Sequence, residues 1–229
     1  MTDAVRAEGL RKRLGSRWVL DGIDFHCGAA ETVILLGQNG SGKSTLLRVL
    51  AGILEPEAGE VRILGQRGPR ARRALGYLPD GVEPLPPLTA RELTGLWLAL
   101  RGGSSQKTLP EALPSRLGVD AVLDRPLPSL SLGQRRRACL LAALAGEPPV
   151  LLLDEPTSGL DPAGCALVVA LVAERAAAGR ATILSTNDGA LLEALAETPG
   201  LTSARRLRVG GGRCVPETPP AQASGGAPR

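Results

Sequence analysis

Aromatic side chains are nearly absent: two Trp, one Tyr and one Phe make up 2% of the 229 residues. A core here has to be built from Leu, Val, Ile and Ala, and a surface that stacks nucleobases lacks its platforms. Histidine occurs once, as His26, which reads as a surface residue. The four cysteines (Cys27, Cys139, Cys165, Cys214) show no CxxC spacing. With His26 they make no metal-ligand set, and they read as small buried residues of a reducing compartment. Lysine stands only at positions 12, 43 and 107, so the net charge of +4 comes almost wholly from arginine. These arginines fall in short groups at 11–17, 67–73 and 135–137, which read as solvated faces; no nucleic-acid partner is expected. The first residues, MTDAVRAEGLRKR, carry no apolar core of a signal peptide. The longest uncharged apolar run, residues 163–173, falls short of the ~20 residues a membrane span requires. A cytoplasmic protein is expected, and any membrane role needs a partner.

What is present suffices for one sizeable domain or two small ones, with 43% hydrophobic residues. Strand-like segments at 5–10, 19–25 and 32–36 come first, and residues 43–54 then have helical spacing that stops before Pro56. Further strands are predicted at 60–64 and 74–78. A Pro-rich connector (81–87) leads to a helix capped by Thr89, in which Leu93, Leu96, Trp97 and Leu100 have the spacing of a packed stripe. A loop at 101–110 and two shorter helical stretches run to about Asp124. A helix begins near Ser131, and PVLLLDEP is a buried strand ending in two carboxylates. A helix over 162–178 has Asp161 as N-cap and Pro162 at its first position. A buried strand at 181–185, a helix and a Gly turn between two short strands follow. From Pro216 the composition predicts a disordered tail. This alternation predicts an α/β fold with a parallel sheet.

Gly37-Gln38-Asn39-Gly40-Ser41-Gly42-Lys43-Ser44 fits G-x-x-x-x-G-K-[ST], between a strand and a helix. Glycines there let backbone N–H groups curl round a polyphosphate at a helix N-terminus. Lys43 is placed for the β- and γ-phosphates, and the Ser44 hydroxyl for Mg²⁺; Thr45 completes the segment. Asp154 ends the 150–153 strand, where a second Mg²⁺-side carboxylate is expected, and Glu155 is placed to hold an attacking water. The competing readings are an exposed Gly-rich turn and a helix-capping acid pair.

A phosphate loop alone leaves kinase, GTPase and ATPase open. LSLGQRRR at 130–137 and LLLDEPTSGLD at 151–161 make the chain resemble the nucleotide-binding subunit of an ABC transporter, over about residues 5–215. The resemblance implies a P-loop NTPase core with an N-terminal antiparallel β subdomain and a helical subdomain (about 83–149), in a single domain of residues 1–215. Against the family's LSGGQ signature, Ser131, Gly133 and Gln134 match. The family's arrangement is a head-to-tail dimer, with ATP between one P-loop and the other subunit's signature. SGLD at 158–161 is similar to the D-loop that crosses that interface with Asp161. GYLPD (76–80) is similar to the Q-loop, and ILSTND (183–188) to the switch region facing the γ-phosphate.

Four positions depart from the pattern. Asn187 stands where the family has His; an amide donates a hydrogen bond but cannot become cationic. Asp80 replaces the Q-loop Gln and is placed to reach Mg²⁺ through water. Leu14 replaces the aromatic that stacks on adenine, leaving Leu14 or Trp18 as the base contact. Leu132 replaces a signature Gly.

The resemblance implies an ATPase with ATP and Mg²⁺ as ligands, working as a homo- or heterodimer with a separate membrane permease. The cassette would lie on the inner face of the cell membrane. A chain ending soon after its last core strands suits two-component exporters. Slow hydrolysis is expected from Asp80, Leu132 and Asn187, with catalytic roles for Glu155 and Asn187. The alternatives are a non-transport ATP-binding switch with little hydrolysis and a P-loop kinase.

Overall fold

The computed structural model describes residues 3–81, 87–102 and 112–217. Residues 82–86, 103–111 and 218–229, which hold most of the expected connector, loop and tail, lie outside the described residues. Pro216 and Glu217, expected in that tail, instead belong to the fold: Pro216 ends the last strand, and the Glu217 amide donates to the Arg206 carbonyl at 2.9 Å. Four strands are buried at every position: β3 (Thr32–Leu36), β5 (Leu75–Leu78), β6 (Val150–Asp154) and β7 (Ala181–Ser185). Unbroken apolar strands of this kind need cover on both faces, and they have it. Val33, Leu35, Val150, Leu152 and Ile183 point into one core, and Ile34, Leu36, Leu151, Leu153 and Leu184 into the other.

The large sheet has the order β5-β6-β7-β3-β8-β9, with β8 (Arg205–Gly210) and β9 (Arg213–Pro216) forming a hairpin at the edge. All other neighbours in it pair in parallel. A separate antiparallel sheet, β2-β1-β4, joins β1 (Asp3–Leu14), β2 (Arg17–Gly28) and β4 (Ala58–Ile63). Its apolar side shares one core with α1 (Lys43–Leu50). The other core holds α3 (Ala90–Leu100), α4 (Ala112–Leu117), α5 (Leu132–Leu144), α6 (Pro162–Ala177) and α7 (Gly189–Glu197). This is the P-loop α/β architecture with an antiparallel β subdomain. Because the central strands run parallel, residues 37, 79–80, 154–155 and 185–187 emerge together at one edge, the usual place for a ligand.

Several local expectations need correction. α1 ends at Leu50, well before Leu54, because "LAGIL" closes it. Gly52 is left-handed (φ 68°), and the amides of Gly52 and Ile53 turn back to Val49 and Arg48, the hydrogen bonds of a Schellman stop. β1 and β2 extend to 12 residues each, past the apolar cores seen in the sequence, because register shifts absorb their irregular alternation. A short helix, α2 (Gly68–Arg72), was not expected in the arginine group. The α3 stripe is only partly buried: Leu93 is buried and Trp97 half-buried, while Leu96 and Leu100 are exposed. Among the described residues, no helix is long and apolar enough to cross a membrane.

Candidate functional site

The segment between β3 and α1 is shaped by positions that only glycine fills. Gly37 has φ 150°, and a Cβ there would lie 2.3 Å from the Val209 carbonyl oxygen. Gly42 (φ 112°) leads directly into α1, whose first residue is Lys43. Lys43 is 6% exposed. Its Nζ donates to the Gly37 carbonyl at 2.7 Å and pairs with the Glu155 carboxylate at 3.6 Å. A buried ammonium held only by a carbonyl and a 3.6 Å carboxylate has donor capacity to spare for an anion.

Asp154 closes β6 and has no exposed surface. Its Oδ1 accepts from Ser44 Oγ at 3.1 Å and Ser185 Oγ at 2.6 Å, while its buried Oδ2 has no hydrogen-bond partner among the described residues. A buried carboxylate oxygen left without a partner is unusual and calls for an explanation, such as an ion. The Ser44 hydroxyl and Asp154 are hard oxygen donors, the chemistry that Mg²⁺ selects. The donor set therefore fits the expected metal.

Glu155 follows in a left-handed conformation (φ 45°), rare for a residue with a side chain. Its amide donates to the Ser185 carbonyl at 3.2 Å and meets Ser185 Oγ at 3.1 Å. The Asn187 amide donates to Glu155 Oε2 at 3.2 Å, and Asn187 Nδ2 donates to Asn39 Oδ1 at 2.8 Å. ILSTND thus turns its polar end onto the phosphate loop and the acid pair. Asp188, the last of the run, caps α7 through the amides of Ala190 and Leu191.

Lys43, Ser44, Glu155 and Asn187 border one cleft of about 500 Å³, lined by residues 38–45 with Leu14, Val19, Asp80, Glu155, Ser158 and Asn187. Leu14 and Val19 reach the cleft, whereas Trp18 does not line it. The Trp18 ring is instead covered by the guanidinium groups of Arg11 and Arg13, at 4.5 and 5.0 Å.

The signature residues are elsewhere. Ser131 caps α5 in a reciprocal box with Gln134: Ser131 Oγ accepts from the Gln134 amide at 3.3 Å, and Gln134 Oε1 from the Ser131 amide at 3.1 Å. Neither they nor Gly133 line this chain's own cleft. Exposed Leu132 packs against Gly159 of the SGLD segment. Asp161 caps α6 through the Gly164 amide at 2.9 Å and pairs with Arg137. The Gly164 hydrogen bond, then Arg137, holds its carboxyl below the usual carboxylate range.

One buried group contradicts the sequence reading. Arg136 was expected on a solvated face but is 2% exposed, with its guanidinium donating to the carbonyls of Pro79, Asp154 and Glu155. Burial pulls its pKa down, while Asp80 first among its neighbours pushes it back up. Nothing in RRR distinguishes the middle arginine; only the helix phase, with Ala138 and Cys139 buried beside it, carried a hint.

Residues 20–158 match the family model described as ABC transporter. The chain belongs to this family. Its curated relatives include a Nod factor export ATP-binding protein of Ralstonia nicotianae, 36% identical over 81% of this chain and 60% of that protein. A hemin import ATP-binding protein of Streptomyces coelicolor is 37% identical over 90% of this chain and 76% of its own length. A cytochrome c biogenesis ATP-binding export protein of Nitrobacter hamburgensis is 36% identical over 89% of this chain and 96% of its own. A solved structure titled as an ATP-binding subunit of an ABC transporter superposes with a TM-score of 0.80 at 27% identity, covering 92% of this chain and 88% of that one. The chain therefore spans 60% of the first of these relatives and nearly all of the third. Cassettes of this family bind ATP and are ATPases. In this cassette residues 38–45, Glu155, Asp80 and Asn187 share one cleft, Asp154 lies buried behind Ser44, and Ser131, Gly133 and Gln134 lie outside the cleft.

Proposed function

We propose that this cassette binds Mg-ATP in the 37–45 cleft, hydrolyses it slowly, and drives export through a separate membrane permease. The observation that carries this reading is the meeting of Lys43, Ser44, Asp154 and Glu155, contributed by two chain segments more than a hundred residues apart, at one edge of the sheet. Backbone amides of residues 38–44 and Lys43 take the β- and γ-phosphates, a positioned charge clamp of the kind phosphoryl transfer requires. Ser44 and Asp154 would hold Mg²⁺, with Asp80 at the cleft wall as a further oxygen donor, and the bound ion would supply charge neutralisation on the phosphates. Glu155 orients the attacking water, and Asn187 donates a hydrogen bond to a γ-phosphate oxygen. Leu14 and Val19 give the base an apolar wall.

Because Ser131, Gly133 and Gln134 lie outside their own cleft, we place them, with Asp161, on the ATP of a second cassette in a head-to-tail dimer, identical or not. The permease docks on a groove of about 400 Å³ beside the cleft, where Ile53, Leu54 and Trp97 expose apolar surface around buried Leu93. Asp80 lines both concavities and links them. Export is supported by the Nitrobacter hamburgensis relative, an export protein of whose length the chain spans 96%, although one relative is an import protein. The transport names also favour this reading over a non-transport switch. The test is phosphate release by wild type and Glu155→Gln. We expect the variant to lose at least about a hundredfold in kcat while still binding ATP; an unchanged rate would remove Glu155 from the mechanism.

A further inference from the structure

Three arginines follow one another on α5, and only the middle one is enclosed. Arg135 and Arg137 keep part of their surface, whereas Arg136 is 2% exposed. Its partners are three main-chain carbonyls: Pro79 beyond β5, and Asp154 and Glu155 at the end of β6, the last at 2.6 Å. Stability gives little reason to bury such a charge, since well-packed apolar replacements of buried ionic groups are often as stable or more so. A planar guanidinium does, however, hold several carbonyls in fixed relative positions.

What it holds is the turn at Glu155. That turn is left-handed, so it persists only where its surroundings determine it. On one side the Glu155 amide is fixed by Ser185; on the other the Glu155 carbonyl is fixed by Arg136. Between these anchors the side chain is directed at Lys43 and the Asn187 amide. The same guanidinium grips Pro79, next to Asp80, and stands two turns or less from Ser131, the cap of its own helix.

We propose that Arg136 is a positioning residue for hydrolysis: by gripping the carbonyls of Pro79, Asp154 and Glu155, it sets the turn that aims the Glu155 carboxylate at the attacking water. This rests on the reading of Glu155 as the residue that orients that water. It also makes α5 a mechanical link, since a displacement at Ser131 or at Asp80 reaches Glu155 through one side chain.

The test is single-turnover phosphate release together with equilibrium ATP binding on the full chain, for Arg136→Met and Arg136→Lys, each in wild-type and Glu155→Gln backgrounds. Arg136→Met is expected to lower the rate at least about 30-fold while ATP affinity stays within about threefold, the split of a group acting on the transition state. Arg136→Lys, which keeps the charge and part of the grip, should recover some of that rate. In the Glu155→Gln background the Arg136→Met change should alter the residual rate less than about twofold, because the two act through one carboxylate. An unchanged rate, a parallel loss of affinity that Lys does not relieve, or an equal loss in the Glu155→Gln background would each overturn the proposal. If Arg136→Met does not fold, Arg136→Lys decides: a reduced rate at constant affinity supports it, and a full rate refutes it. Should Glu155→Gln itself keep full activity, the reading of Glu155 fails; should it abolish turnover while Arg136 variants stay fast, only the role of Arg136 fails.

Discussion

Asn187 is tied on two sides, its amide to Glu155 and its side chain to Asn39. An amide in that place steadies an oxygen but offers no positive charge as the phosphoryl group loosens. Replacing it by His should raise turnover about tenfold, equivalent to about 1.4 kcal/mol of barrier. Steady-state phosphate release measures this, and a slower Asn187→His protein would mean the site is tuned around the amide. The residues in and around this cleft were legible in the sequence to different degrees. The phosphate loop was plain, because its backbone path demands glycine at fixed spacing and leaves a local pattern. Asp154 and Glu155 were legible because an unbroken apolar run delivers them. Arg136 was not, since its burial depends on carbonyls of β5 and β6 far away in sequence. Trp18 stayed ambiguous because its covering cations, Arg11 and Arg13, are set by strand pairing.

At the scale of elements, the contact between β5 and α5 matters most, since Arg136 is cantilevered from it. Gly76 in β5 sits so close to this helix that a Cβ there would lie 2.1 Å from the Ala143 carbonyl oxygen. Gly76→Ala must push α5 off the sheet, at a cost of about 1–3 kcal/mol. Chemical denaturation reads this directly, and an unchanged midpoint would show that the packing yields freely. The buried strands β3, β6 and β7 and the capped helix α6 lay close to where the sequence put them, because apolar runs and caps are local signals. β1 and β2 were underestimated, as bulged, half-exposed strands dilute the period-2 pattern. The α3 stripe was overestimated: spacing showed an apolar face, but only packing decides which part is covered.

At the scale of the molecule, the cassette presents a cleft and an apolar groove that share Asp80. If the groove receives the permease, single cysteines at Ile53 or Trp97 should crosslink to it, while a cysteine at Asn39 should not. Crosslinks confined to Asn39 would place the partner on the phosphate-loop face. Everything else at this scale depends on the cleft being a nucleotide site, and one measurement tests that most directly: calorimetric titration of Mg-ATP into wild type and Lys43→Ala. Wild type should bind, and the variant should bind at least about 30-fold more weakly, since a charge-assisted contact to the phosphates is lost. Equal affinities, or no binding by the wild type, would contradict the assignment of the cleft.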